Sequence, residues 1–245
     1  MKTLEIDIPV YNEEVDLPKN IPVLVSFFEQ TLTDYDWKIV IVDNASTDST
    51  REKIDELSAK YQGKVSGLHL DRKGRGWALR NVWKQSKADY VSYMDVDLSS
   101  DINCFPKMLK LLDEGYDLVT GSRNLKQSQV IGRTFLRELM SRTYITLVKL
   151  IHGTKLSDTQ CGFKALRRSS FVKVEPYILN NLWFFDSELV VIMEKSGFKV
   201  CDVPIKWVDD RHTTVKIAGD SWEEFSGLLR LYKTKPWLNV QASKA

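Results

Sequence analysis

The amino-acid sequence predicts an α/β fold in which a mostly parallel, Rossmann-like sheet is flanked by helices. Two observations lead to this prediction. Short apolar runs of about four to seven residues alternate with segments of helical periodicity between the N-terminus and Arg123. Acidic residues directly follow several of these runs, as expected where parallel strands end at the ligand-binding edge of an open sheet. With 245 residues, 43% of them hydrophobic, the chain can bury the core of one large domain.

The first half of the chain alternates strand and helix in a regular order. Strands separated by helices need crossover connections, which are right-handed and predict parallel pairing. Ser49 and Glu52 have the spacing of a capping box at the start of the second helix. The predicted strands are Leu4–Val10, Trp37–Val42, Val65–Leu70, Tyr90–Met94 and Leu118–Thr120, and the helices between them are Leu17–Leu32, Asp48–Lys60, Gly74–Ser86 and Phe105–Glu114.

Beyond Gly121 the sequence becomes rich in helical periodicity. Because neither a repeat nor a low-complexity linker divides the chain, we expect one domain over residues 1–245, with a ligand-binding part at 1–123 and a helix-rich part at 124–245. The predicted elements of the second part are a helix at Phe135–Ile151, a strand after the turn that starts at Asp158, a helix at Asp186–Glu194, a strand at Lys199–Val203 and an amphipathic helix at Trp222–Tyr232.

The stretch Tyr90–Asp101, with the sequence YVSYMDVDLSSD, combines a buried strand with two carboxylates one residue apart. Asp95 and Asp97 at the end of a strand can hold a hard cation such as Mg²⁺ and leave coordination positions for phosphate oxygens. An isolated pair of this kind more often belongs to a helix cap, which Asp97 or Ser99 would form here. The metal and diphosphate interpretation is favoured because the same sheet edge is predicted to gather further charged residues, namely Glu13, Asp43 and Arg123.

Cationic side chains concentrate between residues 123 and 142, although the net charge of the chain is only +2 and does not indicate a nucleic-acid partner. Such a basic strip suits phosphates or an anionic membrane surface, and a solvated helix face is the ordinary alternative. An apolar stripe runs along the same predicted helix, so a phosphate with an apolar tail would fit beside the arginines. The cations are Arg123, Lys126, Arg133, Arg137 and Arg142, and Glu138 is the acid among them.

The cysteines and the terminal sequence bear on the cellular location. Three scattered cysteines, without ligand spacing, are typical of reduced thiols in a cytoplasmic protein. The N-terminal sequence MKTLEIDIPV predicts a strand rather than the core of a signal peptide. The most apolar helical stretch carries three basic residues, which argues against a membrane-spanning segment. We therefore expect a cytoplasmic protein that meets a membrane only as a peripheral surface contact.

The ordered set of motifs IPVYNEE, VDNASTDST, MDVDLSSD, GSR and DTQCGFK, followed by Arg211, resembles the inverting family-2 glycosyltransferases of the GT-A fold. More narrowly, the sequence is similar to the polyprenyl- or dolichyl-phosphate sugar synthases from about Leu4 to Lys216. DTQCGFK after an arginine-bearing helix looks most like the glucosyl branch, with the mannosyl branch close behind. The resemblance implies a UDP-glucose or GDP-mannose donor, a dolichyl or polyprenyl phosphate acceptor, and Mg²⁺ or Mn²⁺ as the cofactor.

The resemblance also implies roles for individual residues. Asp95, Asp97, Arg123 and Arg211 are the expected catalytic residues, because they surround the reacting phosphates. Pro9, Tyr11 and Glu13 would line the nucleotide pocket, Asp43 would bind the base and Asp95 would lie near the ribose and diphosphate. Asp97 would ligate the metal, with Asp95 and the weaker candidate Ser99. Arg123, Arg137 and Ser141 would bind the acceptor phosphate, Arg211 the donor diphosphate, and Asp158 and Gln160 would belong to the sugar loop.

The chemistry that such an acceptor needs agrees with the residues present. A phosphate monoester has a second pKa of about 6, so it is largely a dianion near pH 7 and needs no general base. A transferase with a sugar acceptor would need one, for which Asp158 and Asp186 are the candidates. A non-catalytic nucleotide-sugar-binding module is a further alternative. A nucleotidyltransferase is less favoured, because IPVYNEE has no glycine-rich phosphate loop.

Overall fold

The computed structural model describes residues 1–209 and 217–242, and it confirms the alternation of strands and helices predicted for the first half. The strands are β1 Lys2–Val10, β2 Tyr35–Asn44, β3 Val65–Leu70, β4 Tyr90–Tyr93, β5 Leu118–Ser122, β6 Gln129–Ile131, β7 Lys164–Arg167, β8 Val200–Pro204 and β9 Lys206–Val208. The helices are α1 Leu17–Thr31, α2 Thr50–Lys60, α3 Arg75–Gln85, α4 Phe105–Asp113, α5 Phe135–His152, α6 Arg168–Val174, α7 Phe185–Lys195, α8 Ile217–Thr234 and α9 Trp237–Ala242.

The main sheet of the described residues has the strand order β3-β2-β1-β4-β7-β5-β8. Neighbouring strands pair in parallel except at β7, which is antiparallel to both β4 and β5. Lys164 of β7 therefore lies opposite Tyr93 on one side and Thr120 on the other. The mostly parallel sheet is as predicted, and the second part of the chain contributes a strand to its centre.

Both faces of the sheet are covered, which explains why its strands are apolar almost throughout. In β1, Leu4, Ile6 and Ile8 point towards one core layer, formed with α1, α2 and α4. The intervening side chains point the other way because successive residues of a strand face opposite sides. The layer on that side contains Trp83 of α3 together with most of the apolar residues of α7.

A second, two-stranded sheet joins β6 to β9 in parallel, with Val130 opposite Trp207. Trp207 also forms an antiparallel bridge with Ser100, and the amide of Asp101 donates to the carbonyl of Lys206 over 2.9 Å. The amide of Val208 donates in turn to the carbonyl of Ser99 over 2.8 Å. The loop after β4 is therefore tied through β9 to the segment that leads into α5.

The predicted capping box at the start of α2 is wrong in its details. The Ser49 side chain makes no capping hydrogen bond, and the first helical amide, that of Thr50, is bound by the carboxylate of Asp48 over 3.0 Å. The amide of Ser49 donates to Glu14 over 2.9 Å. Ser49 has φ −80° and ψ 16° rather than the extended backbone of most cap residues. The preceding aspartate therefore caps the helix.

Among the described helices, none combines the length and the apolar character that crossing a membrane would require.

Asp7 is a carboxyl group buried in the core layer that contains Trp83. The Trp83 indole donates to Asp7 Oδ2 over 2.8 Å, whereas Oδ1 has no hydrogen-bond partner in the described part of the structure. Burial, followed by the charge of Glu5, raises the pKa of Asp7 well above its ordinary value, and the Trp83 hydrogen bond opposes this only in part. Burial therefore penalises the ionised form of Asp7 in the folded chain.

Replacing Asp7 by Asn is expected to stabilise the protein at alkaline pH. A carboxyl whose pKa is raised by folding stabilises fully only below its unfolded pKa of about 3.9, and this contribution is lost as the pH rises through the folded pKa. Asn keeps an acceptor for Trp83 and cannot ionise. Denaturant unfolding at pH 5 and pH 8 should show a gain in free energy of unfolding that grows with pH and reaches about 1–2 kcal/mol.

The exposed Asp36 provides the control, because Asp36→Asn should leave the pH dependence unchanged. An Asp7→Asn variant less stable than the wild type at pH 8 would show that the carboxylate itself is needed.

Candidate active site

The site is built on the loop that follows β4, where the two predicted aspartates lie. Leu98 has φ 53° in the left-handed region and turns the chain sharply between Asp97 and Ser99. The carboxylate of Asp97 accepts from the amide of Ser99 over 2.9 Å and from its hydroxyl over 2.6 Å. Ser99 therefore orients Asp97, and the capping role considered for Asp97 is taken by Asp101, which accepts from the amide of Asn103.

Asp95 is bound by Arg75, a residue that the sequence analysis did not identify. The two side chains form an ion pair, and the guanidinium lies 4.9 Å from the ring centroid of Trp183 and 5.3 Å from that of Tyr93. Burial lowers the pKa of Arg75, but the charge of Asp95 outweighs this and the pKa is raised. Arg75 is a fixed positive charge beside the predicted diphosphate position.

The glycines around Arg75 are the sequence signal that could have identified it. A Cβ on Gly76 would lie 2.6 Å from Cβ of Phe185 and 3.0 Å from the carbonyl oxygen of Asn180, so a larger residue would displace this turn. The glycines of the segment RKGRG, residues 72–76, therefore allow the start of α3 to pack closely against the loop before α7. This packing places Arg75 next to Asp95.

Glu13 follows β1 at the same sheet edge as Asp95 and Asp97. Its raised pKa shows that negative charge is concentrated at this edge of the sheet. Burial raises the pKa of Glu13 to about 7, and the charges of Asp16, Asp97, Asp48 and Asp95 raise it in that order. Placing a cation among these carboxylates would relieve the repulsion. The described residues contain no cluster of three or more His, Cys, Asp or Glu ligands. The arrangement therefore fits Mg²⁺ or Mn²⁺ held by one or two carboxylates and completed by phosphate oxygens.

The residues predicted for the nucleotide lie at the ends of β1 and β2, which are neighbours in the sheet. Pro9 pairs with Val42 in this part of the sheet. Tyr11 is covered by Lys73, whose Nζ lies 3.3 Å from the centroid of the ring. The Lys73 hydrogen bond, followed by that of Thr47, lowers the pKa of Tyr11. Lys73 is a second cation that sequence reasoning missed.

Asp43, predicted to bind the base, is already held from two sides. Its Oδ1 accepts from the amide of Ser46 over 2.9 Å, and its Oδ2 lies 3.2 Å from Nδ1 of His69. His69 is thus a support for Asp43. The buried carboxylate has a fixed orientation at the end of β2.

Arg123 and Asp158 form a pair that was predicted as two separate site residues. Arg123 donates from Nε over 2.7 Å and from Nη2 over 3.0 Å, and its amide donates to the same carboxylate. Burial raises the pKa of Asp158, but the charge and hydrogen bonds of Arg123 outweigh it, so the net pKa is lowered. Asp158 also accepts from the amide of Gln160 over 3.0 Å and so anchors the predicted sugar loop.

Arg137 lies in the first turn of α5, whose N-terminus is capped by the hydroxyl of Thr134. Its Nη1 donates to both carboxylate oxygens of Asp209 over 2.6 Å each. Ser141 follows one turn later on the same helix and is partly exposed. Asp209 was not identified from the sequence, because its role depends on β9 lying next to β6.

Asp186, the other candidate base, is buried at the start of α7. It accepts from Lys164 over 2.7 Å and from the hydroxyl of Tyr93. Lys164 also donates to the carbonyl of Cys161 over 2.6 Å, next to Gly162. Arg211, predicted at the donor diphosphate, lies outside the described residues, so its role stays a prediction.

Residues 6–174 match the family model described as "Glycosyl transferase family 2". The chain belongs to glycosyl transferase family 2. This places the strand-end aspartates, the sugar loop and the first helices inside the region that defines the family, whereas α7 to α9 lie beyond the matched residues.

Several known proteins resemble this family 2 glycosyltransferase. Glycosyltransferase AglD from Haloferax volcanii is 31% identical over 231 residues, which cover 94% of this chain but only 37% of AglD. Dolichyl-phosphate beta-glucosyltransferase ALG5D from Trichomonas vaginalis is 28% identical over 223 residues, 86% of this chain and 68% of that protein. The fold is also similar to that of glucosyl-3-phosphoglycerate synthase from Mycobacterium tuberculosis, solved in complex with Mn²⁺, UDP-glucose and phosphoglyceric acid. The match has a TM-score of 0.67 and 18% sequence identity, and it covers 95% of this chain and 80% of the synthase chain. The predicted GT-A fold is confirmed by this likeness.

Replacing Asp97 by Asn is expected to abolish metal-dependent nucleotide binding, because a neutral amide is a much weaker ligand for a hard cation than a carboxylate. In wild type, UDP or GDP with Mn²⁺ should raise the melting temperature more than the nucleotide with EDTA. In Asp97→Asn the difference should disappear, and the Kd measured by calorimetry should rise at least about tenfold.

Asp101→Asn in the same loop is the control, because Asn can still accept from the amide of Asn103. An equal metal-dependent gain in wild type and Asp97→Asn would contradict the assignment of Asp97 as a ligand.

Proposed function

We propose that this family 2 glycosyltransferase moves a hexose, with glucose favoured, from a nucleotide diphosphosugar to dolichyl or polyprenyl phosphate, with inversion and with Mg²⁺ or Mn²⁺. The observation that carries the proposal is an arginine group next to exposed apolar side chains at the start of α5. Phe135 is 83% exposed and Leu136 57%, and both lie within two residues of the ion-paired Arg137. A ligand with a phosphate head and an apolar tail matches this combination.

Similar proteins support the choice of substrates. ALG5D is named a dolichyl-phosphate beta-glucosyltransferase, and the Mycobacterium tuberculosis synthase binds UDP-glucose with Mn²⁺. We transfer both features to this chain as parts of the proposal. GDP-mannose is the alternative donor, and the assay described below distinguishes it from UDP-glucose.

The residues of the chain act by holding charges in place. Asp97, oriented by Ser99, and Asp95 would hold the divalent cation, which supplies positive charge against the leaving diphosphate. Arg75 adds a fixed cation at Asp95. An oxygen of the acceptor phosphate bonds to the anomeric carbon while the bond from that carbon to the diphosphate oxygen breaks. No proton has to move, since the phosphate is already ionised near pH 7.

A sugar acceptor fits the site less well. Deprotonation of a hydroxyl needs a free base, and both candidates are bound by cations. Asp158 is paired with Arg123 and Asp186 with Lys164, and each carboxylate is at most 3% exposed. Taking a proton would require breaking a buried ion pair, which costs about 3–5 kcal/mol. A phosphate acceptor avoids this cost.

The assay combines the protein with Mn²⁺ or Mg²⁺, UDP-glucose or GDP-mannose, and a polyprenyl phosphate, and measures the lipid-linked sugar. Arg137→Ala is expected to reduce kcat/KM for the acceptor at least about tenfold, because a charge-assisted hydrogen bond contributes about 1.5–3 kcal/mol. Arg142→Ala is the matched control on the same helix. Arg142 is largely exposed and pairs with Glu138, so we expect a change of less than about twofold.

No lipid-linked sugar with any donor would refute the proposed function. Metal-dependent nucleotide binding without any product would instead favour the binding module. Product with an unchanged kcat/KM in Arg137→Ala would refute the role of Arg137 in binding the acceptor phosphate.

We further propose that the protein attaches peripherally to the cytoplasmic face of a membrane through the first two turns of α5. Phe135, Leu136 and Leu139 are exposed there, whereas Ile145 and Val148 in the second half of the helix are buried. The predicted apolar stripe therefore divides into a surface part and a core part. Trp222 and Phe225 are exposed on α8, which packs against α5. A basic, apolar surface of this kind suits the interface of an anionic bilayer.

Changing Phe135 and Leu136 to Ser is expected to weaken sedimentation with vesicles of phosphatidylcholine and phosphatidylserine, because burying each side chain in the interface contributes roughly 1.5–3 kcal/mol. The bound fraction should fall at least about fivefold. Val15→Ser, at an exposed apolar residue outside this surface, should sediment like the wild type. Wild-type protein that stays in the supernatant would contradict membrane attachment.

A further inference from the structure

Arg133 belongs to the basic strip between residues 123 and 142. The sequence alone indicates no individual role for it. Arg133 precedes the capping residue of α5, and its side chain is only 9% exposed. Nη1 donates to Glu138 over 3.0 Å. A guanidinium carries five N–H donors, and no other hydrogen bond from Arg133 to a described residue is present. The remaining donors are therefore available for an acceptor with several oxygens.

The charge around Arg133 points to an anion. Burial lowers the pKa of Arg133, and the positive charge of Arg123 lowers it next, while Glu138 and Asp158 oppose these effects and Arg137 adds to them. The nearby Arg123 behaves differently, because its close partner Asp158 raises its pKa. Positive charge is thus less compensated at Arg133 than at Arg123.

Trp207 gives this charge group a fixed geometry. The guanidinium carbons of Arg123 and Arg133 lie 5.7 and 5.8 Å from the centroid of the same indole ring. Trp207 itself is held by its pairing with Val130 in the small sheet and by its bridge to Ser100. The ring therefore fixes both guanidinium groups relative to the loop that carries Asp97.

We propose that Arg133 binds the phosphate of the acceptor together with Arg123 and Arg137, and that Trp207 is the positioning residue that sets the spacing of Arg123 and Arg133. This proposal rests on the proposed function, since it names a residue of the same acceptor site. The ligand chemistry is a phosphate monoester dianion, which can accept several N–H bonds at once. An attached apolar tail would leave towards Phe135 and Leu136, whereas a soluble phosphate monoester would use the arginines alone.

The experiment compares Arg133→Gln, Arg133→Lys and Trp207→Leu with wild type and with Lys126→Gln, a control at an exposed cation of the same basic strip. KM is measured separately for UDP-glucose and for a polyprenyl phosphate. Binding of a short prenyl phosphate, of 3-phosphoglycerate and of inorganic phosphate is measured by calorimetry.

Arg133→Gln is expected to raise the acceptor KM and the prenyl phosphate Kd at least about tenfold, and to leave the donor KM within about twofold. Arg133→Lys should fall between Gln and wild type, because a lysine keeps the charge but not the two-pronged geometry. Trp207→Leu should raise the acceptor KM more than the donor KM. A loss of donor binding of the same size in these variants would show a general structural role and would overturn the proposal.

The failure of this proposal differs from failure of the proposed function. If wild-type protein binds the prenyl phosphate and Arg133→Gln binds it equally well, the role of Arg133 is refuted while the function stands. If wild type binds 3-phosphoglycerate but not the prenyl phosphate, the lipid acceptor is refuted, and weaker binding of 3-phosphoglycerate by Arg133→Gln still supports Arg133. If wild type binds no phosphate monoester, both are refuted.

Discussion

The arrangement of the site depends on the buried ion pair between Lys164 and Asp186. Within the described chain, it is the ion pair whose two side chains are both least exposed, at 0% and 2%. Lys164 comes from β7, Asp186 from α7, and Tyr93 at the end of β4 donates to the same carboxylate, so three elements meet at one charge. Removing one member of such a pair costs about 3–5 kcal/mol, because the other charge stays buried without a partner. Lys164 also holds the carbonyl of Cys161, and a Cβ on the adjacent Gly162 would overlap the carboxylate of Asp95.

The small sheet of β6 and β9 joins the loop that carries Asp97 to the arginines near the start of α5. Its strand β9 is hydrogen-bonded to the loop of Asp97 and Ser99 on one side and to β6 on the other. The chain leaves β6 and enters α5, with Arg133 just before the helix and Arg137 in its first turn. A displacement of the loop that carries Asp97 and Ser99 would therefore be transmitted to the arginines through backbone hydrogen bonds. The proposed transfer from a diphosphate to an acceptor phosphate would need such a fixed separation, because misplaced reactants lose much of the rate that orientation provides.

In the proposed acceptor site, charge pairing holds the arginines in place for an anion. Arg123 pairs with Asp158, Arg133 with Glu138 and Arg137 with Asp209, so that each guanidinium has a carboxylate partner. The carboxylates offset the repulsion between like charges and hold the side chains in place before any ligand arrives. Glu138 is 30% exposed, whereas Asp158 and Asp209 are almost fully buried. Solvent screens the Glu138 pair more strongly than the buried Arg123–Asp158 pair, and Glu138 is shared with Arg142, so Arg133 is held less tightly than Arg123.

The sequence alone determined the alternating elements, the aspartates at the end of β4 and the family resemblance, because strand period, turn residues and motif order are local properties. Asp95, Asp97 and Arg123 were predicted as site residues in this way. The tertiary structure decided which charges are paired. Arg75 and Asp95 are 20 residues apart, and Arg137 and Asp209 are 72 apart, so neither pair leaves a pattern in any short window. The antiparallel insertion of β7 and the contact of β9 with the loop that carries Asp97 and Ser99 are also long-range pairings. Such pairings depend on which strand edges are left unpaired after the parallel strands have associated. The set of unpaired edges is determined by the packing of the whole chain and not by any local segment.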